Sequence, residues 1–253
     1  MAISLSSLTA PERRPLIMTI CGEGGIGKTT LASLFPNLVL VRAEDGSKSI
    51  ESRGDVAMFP VAKNTGDVME AAMALLTEDH PFKTVAFDTV TKFNTFAEAE
   101  ILAQDVKNGG KGIAVNTALG GYGAGYSAVA NYHFELRKIA QRLADEKGMN
   151  VLFLAHVEVE TLDLPDQPQF SRYTIRMHKK SVSHYVDDVD VVAFLKLKTF
   201  VTGTEKDGKR ANTSGERIIT CYPHPAHVSK NRLGIKVDLP FVEGVNPFEE
   251  YLV

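Results

Sequence analysis

Residues 22–29 read Gly22-Glu23-Gly24-Gly25-Ile26-Gly27-Lys28-Thr29 (GEGGIGKT), and the stretches on either side decide how they fold. Before them, residues 16–21 (LIMTIC) form an apolar run of strand length. After them, residues 28–34 read as a helix. The pattern G-x-x-x-x-G-K-[ST] between a strand and a helix is a phosphate-binding loop. Its glycines let successive backbone N–H groups turn inward and line an anion nest. The helix start aims its positive dipole end at the same place. The expected nucleotide cradle is Gly22, Glu23, Gly24, Gly25, Ile26, Gly27, Lys28, Thr29 and Thr30. In it, Lys28 reaches the β- and γ-phosphates of ATP and the Thr29 hydroxyl coordinates Mg2+.

Working outward, residues 38–41 (LVLV) are a second apolar strand that ends in Arg42-Ala43-Glu44-Asp45-Gly46. Val68, Ala72, Leu75 and Leu76 mark a helix by their three-to-four spacing. Residues 84–87 (TVAF) are a third strand, ending at Asp88, and 89–106 are expected to be helical. Residues 108–125 contain seven glycines and predict an irregular loop. Val129, Tyr132, Leu136, Ile139 and Leu143 then form one stripe on a long amphipathic helix. Residues 151–155 (VLFLA) are a fourth strand ending at His156, followed by a polar, Pro- and Asp-rich segment up to about residue 180. In the last third, 191–194, 200–202 and 217–222 read as strands joined by polar turns such as Lys206-Asp207-Gly208-Lys209.

Short all-apolar strands alternating with helices predict an α/β fold whose mostly parallel sheet is flanked by helices, with an antiparallel β extension in the last third. Residues 1–15 are expected to be a flexible arm and 16–253 a single domain. Ligands of such sheets sit at the carboxyl ends of strands, and Glu44, Asp88 and His156 each follow one. Asp88 closes a Walker-B-like strand, where an acid holds magnesium through its waters. Glu44 is placed to orient and deprotonate an attacking water; the bland alternative is a solvated turn carboxylate, and Asp45 competes for the role. His156 is a candidate γ-phosphate sensor, although a lone histidine is more often structural.

Composition narrows the field. The formal net charge is −3 over 253 residues, so nucleic acid would need a local basic patch. Cys21 and Cys221 have no metal-ligand or disulfide spacing and read as two reduced thiols. The N-terminus is short and polar, unlike a signal peptide, and no apolar run approaches bilayer length. The expectation is a soluble cytoplasmic protein that does not engage membranes.

The P-loop, the Ala43-Glu44 pair after the second strand, the short Walker B and Lys230-Asn231-Arg232-Leu233-Gly234, in this order, resemble the RecA superfamily. The Ala43-Glu44 pair looks like the place where RecA carries its catalytic glutamate. The Lys230–Gly234 segment is similar to the Lys-Asn-Arg-aromatic-Gly motif of the RadA branch and to the Lys-Asn-Lys segment of RecA. The resemblance covers about residues 15–240 and is greatest to short phage ATPases implicated in single-strand annealing and recombination. It implies a RecA-like core that assembles into a ring or filament, with Lys230 and Arg232 reaching the neighbour's nucleotide. It also implies DNA-stimulated ATP hydrolysis and single-stranded DNA bound by two loops, 107–125 and 157–180. The first carries Lys107, Lys111 and Tyr122, with Tyr126 just beyond it; the second ends in Arg172, Tyr173, Arg176, His178, Lys179 and Lys180. The compartment would be the bacterial host cytoplasm if the chain is phage-encoded. His156 departs from RecA, which has a glutamine there.

Two other ATPase classes compete. GGIGKTTLA (24–32) resembles the P-loop of ParA- and MinD-type partition ATPases, but Glu23 stands where those carry a lysine. An AAA+ remodelling motor would show an arginine finger and a small helical lid, where the last third here reads as strands. A nucleotide-dependent assembly switch without hydrolysis is disfavoured by the complete Lys28, Thr29, Asp88 and Glu44 set. No Asn-Lys-x-Asp guanine motif is present.

Overall fold

A computed structural model describes residues 4, 8, 10, 12–50, 54, 56–202 and 210–253. Much of the arm expected over 1–15, and the turn at 206–209, lie outside the described residues. The strands are β1 (Ile17–Gly22), β2 (Leu38–Arg42), β3 (Ala57–Met58), β4 (Thr84–Asp88), β5 (Asn150–Leu162), β6 (Phe170–Ile175), β7 (Val191–Thr202), β8 (Arg210–Thr220), β9 (Lys230–Asn231) and β10 (Leu239–Pro240). The helices are α1 (Lys28–Ala32), α2 (Thr65–Thr77), α3 (Val90–Lys107), α4 (Ala124–Lys147) and α5 (Lys179–Val186).

The sheet order is β10-β8-β7-β1-β5-β4-β2-β3, with β6 paired to β5 and β9 to β7. The six strands from β7 to β3 run parallel, whereas β8, β9, β10 and β6 join antiparallel. This is the expected α/β fold, a P-loop NTPase sheet with an antiparallel extension. Its strands are apolar on both sides because both faces are covered. One face buries Val85, Phe87, Val151 and Phe153 with residues of α2 and α4. The other buries Met18, Ile20, Leu152 and Leu154 with α1 and the C-terminal Phe241 and Phe248. No helix among the described residues is long and apolar enough to cross a membrane.

Several boundaries differ from the sequence reading. Helix α1 stops at Ala32. The expected strands 191–194 and 200–202 are one strand, with a register shift between Leu197 and Thr199; its partner β8 ends at Thr220, short of the expected 222. Two differences matter for function. First, the loop expected over 157–180 is instead a β-hairpin followed by a helix. Strand β5 does not end at His156 but runs on to Leu162, pairing Val157 with Ile175 through Leu162 with Phe170, and α5 starts at Lys179. The alternation Val157-Glu158-Val159-Glu160 carried that strand signal, outweighed by the Pro- and Asp-rich composition that follows.

Second, the glycine-rich stretch is folded rather than loose. The Asp105 carboxylate at the end of α3 accepts the N–H groups of Leu119 (2.7 Å) and Gly112 (3.0 Å). These bonds hold it below the usual carboxylate range. Val115 and Ala118 pack against Ala97, Ile101 and Val129 in a small core of their own. Helix α4 begins at Ala124, so Gly125 is helical; a side chain there would collide with the Val115 carbonyl.

Candidate nucleotide site at the strand tips

The strand register assembles the site. Gly22 closes β1 beside His156 of β5, and Asp88 closes β4 beside Leu154 of the same strand. Glu44 follows β2 and is drawn in by its backbone: the N–H groups of Ala43 (2.7 Å) and Glu44 (3.3 Å) both donate to the Asp88 carbonyl. Residues separated by more than a hundred positions thus share one strand edge.

Between Gly22 and α1 the loop turns through positive φ at Gly25 (74°) and Gly27 (108°), which L side chains rarely adopt. The Lys28 side chain folds back under the loop. Its Nζ donates to the carbonyls of Gly22 (3.1 Å) and Glu23 (2.9 Å) and lies 3.3 Å from His156 Nδ1. His156 Nε2 lies 3.1 Å from Glu44 Oε1. An ammonium can only donate, so Nδ1 is the acceptor and Nε2 carries the proton that Glu44 receives. The His156 backbone N–H donates to Thr91 Oγ1 at 2.8 Å. Thr91 and Thr89, a hydrogen-bond partner of Glu44, are supports that sequence reasoning missed. Each is an ordinary residue at the start of a helix, without a motif of its own.

The electrostatics follow from burial. Lys28 and Asp88 are 6% and 5% exposed. Burial moves the Lys28 ammonium below its usual value, and the charge of Asp88 opposes that. Burial likewise raises the Asp88 carboxyl, against the hydrogen bond from Thr29. The His156 hydrogen bond holds Glu44 below the usual carboxylate range although partial burial opposes it. Glu44 is therefore ionised at neutral pH and able to accept a proton or orient a water. Asp45 faces elsewhere, with Oδ1 3.5 Å from Arg42 Nη1.

The residues fit a magnesium-bound triphosphate. Thr29 Oγ1 donates to Asp88 Oδ2 at 2.8 Å, so a hydroxyl and a carboxylate stand side by side at the end of the loop. Gly24 and Gly25 leave open space where side chains would stand, letting an anion approach the backbone. The AAA domain family matches residues 14–233, a span that contains every residue of this cluster. The chain belongs to the AAA domain family. It thereby carries a P-loop ATPase domain of AAA type, with a nucleotide as its ligand. No curated protein matches the chain.

Other expected site residues of this AAA domain protein lie apart from the cluster. Lys230 and Asn231 pair with Val192 and Val191 at the start of β7, the opposite end of the sheet from the loop. Lys230 Nζ donates to the Asp187 carbonyl (2.7 Å), and Arg232 Nη1 pairs with Asp190 Oδ1 at 3.2 Å. The length of β1 alone separates this end from Gly22 by about 17 Å. In contrast, the two segments expected to bind DNA touch each other. The Tyr126 and His178 rings stack at 3.8 Å, and Lys180 Nζ donates to Gly123 O (3.3 Å) and Ser127 Oγ (2.7 Å). Arg172 is paired with Glu160 at 2.7 Å. Lys111, Lys179 and Tyr122 are exposed. Arg176 lines a cavity of about 460 Å³ together with Glu44, His156 and His178, which joins the two regions.

Proposed function

We propose that this protein is a RecA-like ATPase that hydrolyses Mg-ATP at subunit interfaces and couples it to binding and annealing single-stranded DNA in phage DNA metabolism. The observation that carries the coupling is the continuity of β5. The strand that presents His156 to Lys28 and Glu44 runs without a break into the hairpin whose far end leads to Arg176, His178 and Lys179. The Arg176 N–H also donates to the His156 carbonyl at 2.9 Å. A shift of His156 on reaching a γ-phosphate therefore moves the base of the hairpin.

In this reading Lys28 turns toward the β- and γ-phosphates, Glu44 takes a proton from the attacking water and His156 reports the γ-phosphate. Thr29 and Asp88, side by side at the end of the loop, would hold magnesium, which would supply charge neutralisation for the phosphates. Lys179 and Lys111 meet DNA phosphates, and Tyr122 stacks on a base, a sequence-tolerant mode. After β7 the described residues form strands and one short 3₁₀ turn, Glu249–Tyr251, with no helical lid.

The test is single-stranded DNA binding against salt, with an ATP analogue and with ADP. Binding should be tighter with the analogue and weaken steeply as salt rises. Neutralising Lys179 and Lys180 together should lower affinity and flatten the salt slope. An absence of binding at low salt in every nucleotide state contradicts the DNA role and favours a partition-type ATPase.

A further inference from the structure

Glu44 just after β2, Asp88 at the end of β4 and His156 on β5 all lie on one side of β1 in the sheet order. A triphosphate seated in the loop with its γ end toward them sends its nucleoside the other way, toward β7 and β8. There the two strands run past the tip of β1. Cys21 pairs with Phe194, whereas Leu197 and its partner Arg217 lie further along the ribbon. The ribbon therefore stands as a wall beside the phosphate loop.

Arg217 projects from this wall on the face that packs α1. Its Nη1 donates to the Ile26 carbonyl in the loop at 3.4 Å. The guanidinium carbon sits 4.1 Å from the centroid of the Phe241 ring. The contact with the loop is close: a side chain at Gly27 would collide with Arg217 Nη1 and press on Phe241 Cε1 at 3.2 Å. Phe241 is buried and Arg217 half-buried. The ring thus supports the guanidinium, and both residues line one cavity of about 700 Å³. A guanidinium held flat by an aromatic ring is a stacking surface for another planar π-system.

We propose that Arg217, buttressed by Phe241, is the nucleobase platform of the site, on which the base of a purine nucleoside triphosphate stacks. The proposal rests on the ATPase reading above and adds the residue that holds the base. Arg217 lies 191 positions from Ile26 and belongs to no motif, so only the fold brings it to the loop.

Titration of the intact protein with Mg-ATP and with Mg-tripolyphosphate, which has the phosphates and no base, separates the possibilities. The unaltered protein should bind ATP about tenfold or more tightly than tripolyphosphate, the worth of one stacked base. Arg217→Ala should remove that difference and leave tripolyphosphate affinity unchanged. Arg217→Lys keeps the charge but not the plane. It should lose most of the difference too, and it carries the test if the alanine variant does not fold. Equal losses for both ligands would make Arg217 a phosphate contact and overturn the platform, as would unchanged ATP affinity in both variants. If the unaltered protein binds neither ligand, the ATPase reading falls as well.

Discussion

Glu44 and Asp45 are adjacent acids with different surroundings. Glu44 accepts from His156 at 3.1 Å and is half-buried at the strand tips, while Asp45 is exposed and pairs with Arg42. Glu44→Gln should keep nucleotide affinity and lower the rate of ATP hydrolysis by on the order of 10²-fold or more, because it removes a base and spares the phosphate cradle. Asp45→Asn should stay near the parental rate. Parallel measurement of turnover and nucleotide affinity in the two variants decides between them; the reverse result would reassign the base to Asp45. At this scale the sequence was most legible where a motif is contiguous. The loop 22–29 and Asp88 could be read directly because strand, turn and helix follow one another in the chain. The Glu44–His156–Lys28 bonds could not, since they depend on β5 lying between β1 and β4, and Arg217 was legible only as a strand residue.

Among the elements, apolar runs found β1, β2, β4 and the start of β5, because strands buried on both faces carry a signal that composition alone reveals. The β5–β6 hairpin was missed because the Pro- and Asp-rich composition of its turn outweighed the short Val157–Glu160 alternation. The helices on the outer face are joined by a network that no periodicity shows. His133 of α4 is fully buried, with Nδ1 2.7 Å from Tyr185 Oη of α5 and Nε2 3.0 Å from Asn94 Oδ1 of α3. Burial pushes its imidazole from an ordinary 6.5 down to about 3, with the charge of His184 acting in the same direction. The folded protein therefore keeps His133 neutral at pH values where the unfolded chain protonates it. The His133 contribution to stability is complete above pH 6.5 and falls by up to about 1.4 kcal/mol per pH unit below it, until the folded state protonates near pH 3. Urea unfolding at pH 7.5, 6 and 5 should show this loss, and His133→Gln should reduce it to the part carried by His227, whose imidazole is also lowered by burial, to about 4. An equal slope in the variant would place the pH dependence elsewhere.

At the scale of the whole molecule, the nucleotide cluster sits at the carboxyl ends of the parallel strands, and Lys230 with Arg232 lies beside the start of β7, at the opposite end of the same sheet. Within one subunit the second end cannot reach the first. In the proposed subunit-interface mechanism, head-to-tail stacking would bring the Lys230–Arg232 end of one subunit onto the nucleotide cluster of the next. Such heterologous contacts build rings or filaments rather than closed two-fold dimers. Arg232 is 61% exposed in its pair with Asp190, and an exposed pair of this kind costs about 1 kcal/mol or less to exchange for a phosphate. ATP turnover per chain should therefore rise with protein concentration, as each site acquires a neighbour. The decisive experiment mixes Lys28→Ala chains, which lack the phosphate contact, with Arg232→Ala chains, which lack the residue offered to the neighbour. Each alone should lose turnover by about 10²-fold or more. Together they should recover a measurable fraction, because some interfaces then join an intact loop to an intact arginine. A mixture that stays inactive while the two chains demonstrably co-assemble would contradict a site completed by its neighbour.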